Sequence, residues 1–376
     1  MNSKIIEVAK VFFKLGCFAF GGPAAHIGMM QDEIVHKRKW MSEQHFLDLI
    51  GATNLIPGPN STEMTMHCGY ERAGRVGLFV AGLSFIVPAI IITGILAYFY
   101  VNYGHLPKIN PFFQGIKPAV LVIILSAVIK LGKKAIKGTD LAIIGVFVLL
   151  LCLLGVSEIT ALLVVGIIGG LIRFFINQNK VVSSLLPIPL LIEATNFYNK
   201  AEFLMPSKIF LIFLKVGSVL YGSGYVLFAY LDAELVSNGF LSHQGLMDAI
   251  AAGQFTPGPV LSTATFIGFQ LGGVSGSIAA TSGIFIPSFL FVLFVQPFIP
   301  KLQKSKLFRS ILDCINVAAV AVMVAVMFEM GKTSITDWKS ILILLISGLL
   351  TFYYKKLNSI YLILIGSLLG YVLSFI

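Results

Sequence analysis

Two Pro-Gly-Pro triplets, Pro57-Gly58-Pro59 and Pro257-Gly258-Pro259, each lead into hydroxyl-bearing residues. Asn60, Ser61 and Thr62 follow the first, and Ser262 and Thr263 follow the second. Prolines stop one helix, the residues beyond start another, and a helix N-terminus presents unpaired N–H groups and about half a positive charge. Such a terminus attracts an anion without a cationic side chain. The hydroxyls of Ser61, Thr62, Ser262 and Thr263 add donors suited to an oxyanion, although Asn60 and Ser61 serve equally as ordinary helix caps. Asn54 and Gln254 are further polar candidates just before the triplets.

Other candidates surround these. Lys14 and Lys215 sit at equivalent places in apolar runs, where an ammonium points to an electrostatic or anion-binding role unless it snorkels to the interface. Gly21-Gly22-Pro23 and Gly222-Ser223-Gly224 end those runs with residues that break helices and free backbone N–H groups. His26, just beyond the first break, is of the residue type that can switch charge near neutral pH, or else a satisfied structural histidine. Asp48, Asp248 and Glu63 are candidate proton carriers; each can instead cap or pair with an arginine, such as Glu63 or Glu71 with Arg72 or Arg75. No catalytic constellation and no metal or cofactor motif emerges: the six histidines are scattered, HExxH, GxSxG and Walker A are absent, and Cys17, Cys68, Cys152 and Cys314 stand singly. An enzyme is not expected.

The elements that position these residues are set by composition. With 57% hydrophobic and 12% charged residues among 376, the chain reads as an all-α polytopic membrane protein whose first apolar segment, lacking a cleavage site, stays as a membrane helix. Apolar runs long enough to cross lie at about 5–20, 76–101, 112–131, 141–155, 159–176, 208–228, 274–298, 310–330, 340–354 and 359–376. The stretches 46–70 and 246–271, each too short on either side of its triplet to cross, read as re-entrant hairpins that add no crossing.

Sorting the 27 Lys and Arg by this topology places 19 on the side of Lys37-Arg38-Lys39, including Lys208, and five opposite: Lys4, Lys10, Lys108, Lys332 and Lys339. Lys14, Lys117 and Lys215 fall within spans. The positive-inside rule then puts both termini outside, and orientation accounts for the net charge of +10 without nucleic acid as a partner.

The sequence also repeats. Phe13-Lys14-Leu15-Gly16 and Phe20-Gly21 match Leu214-Lys215-Val216-Gly217 and Tyr221-Gly222 at an offset of 201, as does Glu33 with Glu234. Ser42, Gln44, Asp48, the triplet and Thr65 recur at 200, and Pro88 recurs as Pro287. The expected domains are an N-terminal repeat at 1–176, a cytoplasmic linker at 177–206 and a C-terminal repeat at 207–376. Five crossings per half would invert the second repeat, as in secondary transporters, and bring the two triplets together near the midplane.

The run Phe20-Gly21-Gly22-Pro23-Ala24-Ala25-His26-Ile27-Gly28, then Glu33, Arg38 and Trp40, then Pro57-Gly58-Pro59 with Gly69 and Gly74, resembles the chromate ion transporter family. The pattern recurs from Phe213 to Pro287, so the resemblance is to that family's long, two-domain form and covers nearly the whole chain. It implies a carrier in the cytoplasmic membrane that moves chromate out of the cell and confers chromate resistance, with sulfate as a related or competing anion. Gly222-Ser223-Gly224 departs from a second Gly-Gly-Pro, and Val260-Leu261 replaces Asn60-Ser61, so the first half is expected to supply more ligands. An uptake carrier or an anion channel stays open, since re-entrant hairpins also build filters. Membrane lipid is the surrounding partner, and a homodimer stays open as an assembly.

Overall fold

A computed structural model describes residues 2–19, 23–53, 56–104, 110–156, 158–176, 204–221, 224, 226–295, 305–354 and 359–375, and every regular element among them is helical. Gly21, Gly22, Asn54, Gly222, Ser223 and most of the segment 177–206 lie outside the described residues, as do Lys108, Lys180, Lys200, Lys301, Lys304, Lys355 and Lys356.

Helix α1 (Asn2–Phe18) buries Val8, Val11, Phe12 and Leu15, an i, i+3, i+4, i+7 stripe that makes one apolar face. α2 (Pro23–Gln31) follows and runs into a π-helical turn, Asp32–Lys37. α3 (Glu43–Thr53) starts after Ser42, whose hydroxyl accepts a 3.2 Å bond from the His45 amide. α4 (Asn60–Tyr103) is broken at Ala73 and Gly74; Gly74 has φ 64°, a left-handed conformation that glycine adopts without steric cost. α5 (Asn110–Ala135), α6 (Thr139–Leu153) and α7 (Glu158–Ile176) complete the first half.

The second half opens with α8 (Pro206–Val219), α9 (Leu227–Leu231) and a π turn, Asp232–Val236. α10 (His243–Phe255) is capped by Ser242, whose hydroxyl accepts from the Gly245 amide at 3.0 Å. A 3-10 turn, Val260–Ser262, leads into α11 (Thr263–Val295), broken at Gly272 and Gly273 (φ 61°). α12 (Lys306–Ser334), α13 (Trp338–Tyr353) and α14 (Ser359–Leu373) end the chain. Among the described residues, four helical stretches, Asn60–Tyr103, Pro111–Ala135, Val260–Phe294 and Lys306–Lys332, are long and apolar enough to cross a membrane. The chain is a membrane protein with several apolar helical spans.

The core is organised by α4 and α11, which cross in antiparallel sense. Phe79 stacks on Phe289 with centroids 5.6 Å apart, and Tyr98 meets Phe269 at 6.3 Å toward the other end. α1 packs along α4 and α8 along α11. Close approach is allowed by glycine: a Cβ on Gly16 would lie 2.5 Å from the Phe85 carbonyl oxygen, and one on Gly217 2.5 Å from that of Ile284.

This packing corrects the expected topology. Glu7 of α1 bonds Arg38 at 3.1 Å and Arg72 at 2.7 Å, so the start of α1 shares an end of the molecule with the Lys37-Arg38-Lys39 segment. The N-terminus therefore does not lie opposite that basic segment, and α1 does not carry the chain across. In the second half Lys208 lies 4.4 Å from the Phe240 ring centroid and the Leu204 amide bonds the Leu271 carbonyl, so α8 also enters and the chain returns. The expected ten crossings lose the first helix of each half. Seventeen residues give about 25 Å of helix, enough to span by length, so only the contacts at its ends reveal the return.

Leu204 and Leu271 sit at the Tyr98 and Phe269 end, whereas Arg173 of α7 joins Asp140 and Asp313 at the opposite one. Lys208 is thus separated from Arg72 along the molecule, and the expected linker falls almost wholly outside the described residues.

Candidate functional site

The triplets fold as their composition dictates. Pro59 is the N-cap of α4 in extended backbone (φ −80°, ψ 104°), as the missing N–H and ring of proline favour, and its carbonyl accepts the amides of Thr62 at 2.8 Å and Glu63 at 3.2 Å. Pro259 (φ −68°, ψ 134°) does the same for Ser262 at 2.9 Å. Between the prolines, Gly58 has φ 143° and Gly258 φ 89°, values that penalise any side chain.

Each triplet is held by the end of a helix from the other half. The Gly58 amide donates to the Leu220 carbonyl at 2.6 Å, just past α8, and the Gly258 amide donates to the Ala19 carbonyl at 2.9 Å, just past α1. Ala19 and Leu220 are themselves 201 positions apart, so the two bonds are reciprocal. Thr93 of α4 also reaches Thr256, beside the second triplet, at 3.3 Å.

Polar side chains at and near the triplets in the chain lack hydrogen-bond partners. Glu63 is 0% exposed, and both its carboxylate oxygens lack a hydrogen-bond partner. Its carboxylate and the Ser288 hydroxyl converge on Gly58: a Cβ there would overlap the Glu63 oxygen and sit 2.7 Å from Ser288 Oγ. Thr62 Oγ1, Ser262 Oγ, Ser288 Oγ and Gln254 Nε2 are likewise buried and unpartnered. Tyr221, next to Leu220, lies within electrostatic range of Glu63. Such groups are costly unless something else occupies the space they face.

The other candidates divide. His26 is 1% exposed, and its Nε2 lies 3.1 Å from the Ala19 carbonyl, so it shares that oxygen with the Gly258 amide. Ser61 is buried beside Thr62, while Thr263 Oγ1 donates to the Val260 carbonyl at 2.8 Å. Asn60 is partly buried at the start of α4. Gly224 packs against Val260, its Cβ position 3.3 Å from that side chain. Pro23 starts α2.

Lys14 and Lys215 are not brought to the triplets. Each falls off the buried stripe of its helix, Lys14 lying exposed and Lys215 pairing with Glu234 at 2.7 Å. Asp48 is also exposed and accepts from Gln44 at 3.0 Å. Its sequence match, Asp248, is buried and accepts from the Tyr100 hydroxyl at 2.6 Å, with Lys117 in electrostatic range. These three polar groups border a cavity of about 610 Å³ or lie close to it, and its lining extends to Phe255, two residues before the second triplet.

Ser288, Tyr221 and His67 were not among the sequence candidates. His67 is 0% exposed with both ring nitrogens unpartnered, four residues after Glu63 and so on the same helix face. That spacing was a legible signal, as was Ser288 following Pro287. Among the described residues, no three His, Cys, Asp or Glu gather as metal ligands.

The chain matches a family model described as chromate transporter over residues 6–173 and again over 207–371. An uncharacterised transporter of Methanocaldococcus jannaschii is 30% identical over 99% of this chain and 95% of its own. A probable chromate transport protein of Synechococcus elongatus is 29% identical over 97% of this chain and 95% of its own. The chromate transport protein of Cupriavidus metallidurans is 26% identical over 97% and 92%. No solved structure matches the chain. With the family model covering most of both halves and relatives aligned over nearly their full length, this chain belongs to the chromate transporter family.

Proposed function

We propose that the chain is a secondary transporter that exports chromate, or a related tetrahedral oxyanion such as sulfate, across the cytoplasmic membrane. The two halves act as inverted repeats, each with a re-entrant hairpin turning at its triplet, and the anion sits between the N-termini of α4 and α11. The observation that carries this reading is the reciprocal pair of bonds, Gly58 to Leu220 and Gly258 to Ala19, which ties each broken helix to the opposite half. Rocking of one half against the other would exchange those bonds and expose the site to each face in turn.

Two further observations support it. The antiparallel crossing of α4 and α11 puts the breaks at Gly74 and Gly273 at opposite ends of the molecule, as inversion requires. The cluster of Lys37, Arg38, Arg72, Lys137 and Arg173 supports reading one end as cytoplasmic by the positive-inside rule, and on that reading the N-terminus lies on the same side and α14 ends on the other.

The test is labelled chromate and sulfate flux in proteoliposomes under imposed voltages and pH gradients. Saturable flux with counterflow of one anion against the other is expected. Unsaturable flux would favour a channel, inward accumulation from outside would favour an uptake carrier, and no flux of either anion would remove the oxyanion reading.

A further inference from the structure

We propose that Glu63 couples the oxyanion site to a proton: ionised, its carboxylate fills the N-terminal pocket of α4 and excludes an anion; protonated, it releases that pocket to the substrate. This rests on the oxyanion reading above and adds to it the residue that carries the proton. The first ground is geometric, since the carboxylate lies against Gly58 at the start of α4, where the unpartnered Ser288 hydroxyl also points. The second is its lack of any counter-charge: both oxygens are fully buried and unbonded, and no lysine, arginine or histidine pairs with Glu63 among the described residues.

The surroundings leave Glu63 alone in this role. Just past α8, Tyr221 reaches it electrostatically, as an uncharged phenol. On its own helix His67 is buried one turn further on. On α1, Glu7 is engaged with Arg38 and Arg72 at the end of the molecule, Lys4, Lys10 and Lys14 are exposed, and Cys17 is half-buried. His26 on α2 bonds Ala19, beside the other triplet. On α3, His45 pairs with Glu71 and Glu43 and Asp48 are exposed. α11 carries no titratable residue, and on α10 His243 meets Asp232 while Asp248 is held by Tyr100. An isolated buried carboxyl is therefore balanced between desolvation, which disfavours its charge, and the amide dipoles at the start of α4, which favour it. An oxyanion entering the same pocket tips that balance by like-charge repulsion, so anion binding and proton binding reinforce each other.

The experiment uses purified full-length protein and inorganic sulfate, which stays a dianion across the working range, alongside chromate, which itself takes up a proton near neutral pH. In proteoliposomes at clamped voltage, sulfate exchange at equal pH on both faces is compared with accumulation under a pH gradient. Sulfate affinity of the unsubstituted protein is expected to rise up to about tenfold per unit fall in pH, and a pH gradient to drive accumulation. Glu63→Gln, which mimics the protonated carboxyl, should keep sulfate exchange, lose its pH dependence and no longer respond to the gradient. A Glu63→Gln protein that still responds to pH like the unsubstituted one, or that is folded but exchanges no sulfate, overturns the proposal.

A measurement that needs no variant stands beside it. Sulfate binding in weakly buffered detergent solution should draw up to about one proton from the medium per anion bound; binding without proton uptake refutes the coupling while leaving the transporter reading intact. Absence of any sulfate or chromate binding or flux takes down both.

Discussion

The two triplets share a backbone and differ in what surrounds it. At the first, the space beside Gly58 is filled by the Glu63 carboxylate and the Ser288 hydroxyl, both unpartnered. At the second, a Cβ added to Gly258 would lie 2.9 Å from the Ala89 methyl and 3.3 Å from the carbonyl oxygen of Gly16, and the residue matching Glu63 is Thr263, whose hydroxyl is spent on Val260. The turn, the proline cap and the bond to the opposite half are kept in both because they depend on main-chain geometry, which only Pro-Gly-Pro supplies. Side chains were free to diverge, and they did so toward an acidic, hydroxylated first pocket and a second one reached by a single histidine.

The largest effect is expected where backbone and side chain are both constrained. Gly58→Ala places a methyl on the Glu63 carboxylate at φ 143°, and should abolish chromate and sulfate flux and lower stability by about 2–4 kcal/mol, read from thermal unfolding in detergent. Gly258→Ala, which meets only a methyl and two carbonyls, should cost less; an equal or greater cost would erase the difference between the pockets. Next comes exchange of the acid. Thr263→Glu adds an unpaired carboxyl to a pocket where even a Cβ on Gly253 would overlap the Thr263 hydroxyl, and should destabilise the protein by about 3 kcal/mol or more. A stable Thr263→Glu protein would mean that the second pocket has room for the group the first one uses.

His26→Ala leaves the Ala19 carbonyl with the Gly258 amide alone, and should cost about 1–2 kcal/mol with a partial loss of flux. Unchanged flux would show that the second triplet is held by its backbone bond only. The smallest effect is expected for Lys14→Gln and Lys215→Gln, whose side chains point away from both pockets; flux should stay within about twofold of the unsubstituted protein. A loss of tenfold or more in either would put a cation back into the anion's path.

Much of this was legible in the chain. The doubled triplets, the 200-residue offset and the apolar runs identify a membrane protein built of helices that break at defined points, because prolines and glycines act through local backbone geometry. The family resemblance carried by residues 20–28 and 57–74 is met by the family match over both halves. The sequence could not show that α1 and α8 turn back, because their length and hydrophobicity suit a span equally well; Glu7 against Arg38 and Arg72 decided it. Nor could matched spacing tell Asp48 from Asp248, one exposed and one buried, since burial depends on which neighbour each helix meets.

What the sequence determined by itself was where the helices break, since that is written in single residues and their neighbours. Which groups gather at the breaks was decided only by tertiary structure: Ser288, Glu63 and Leu220 lie far apart along the chain, and the crossing of α4 with α11 brings them to one glycine.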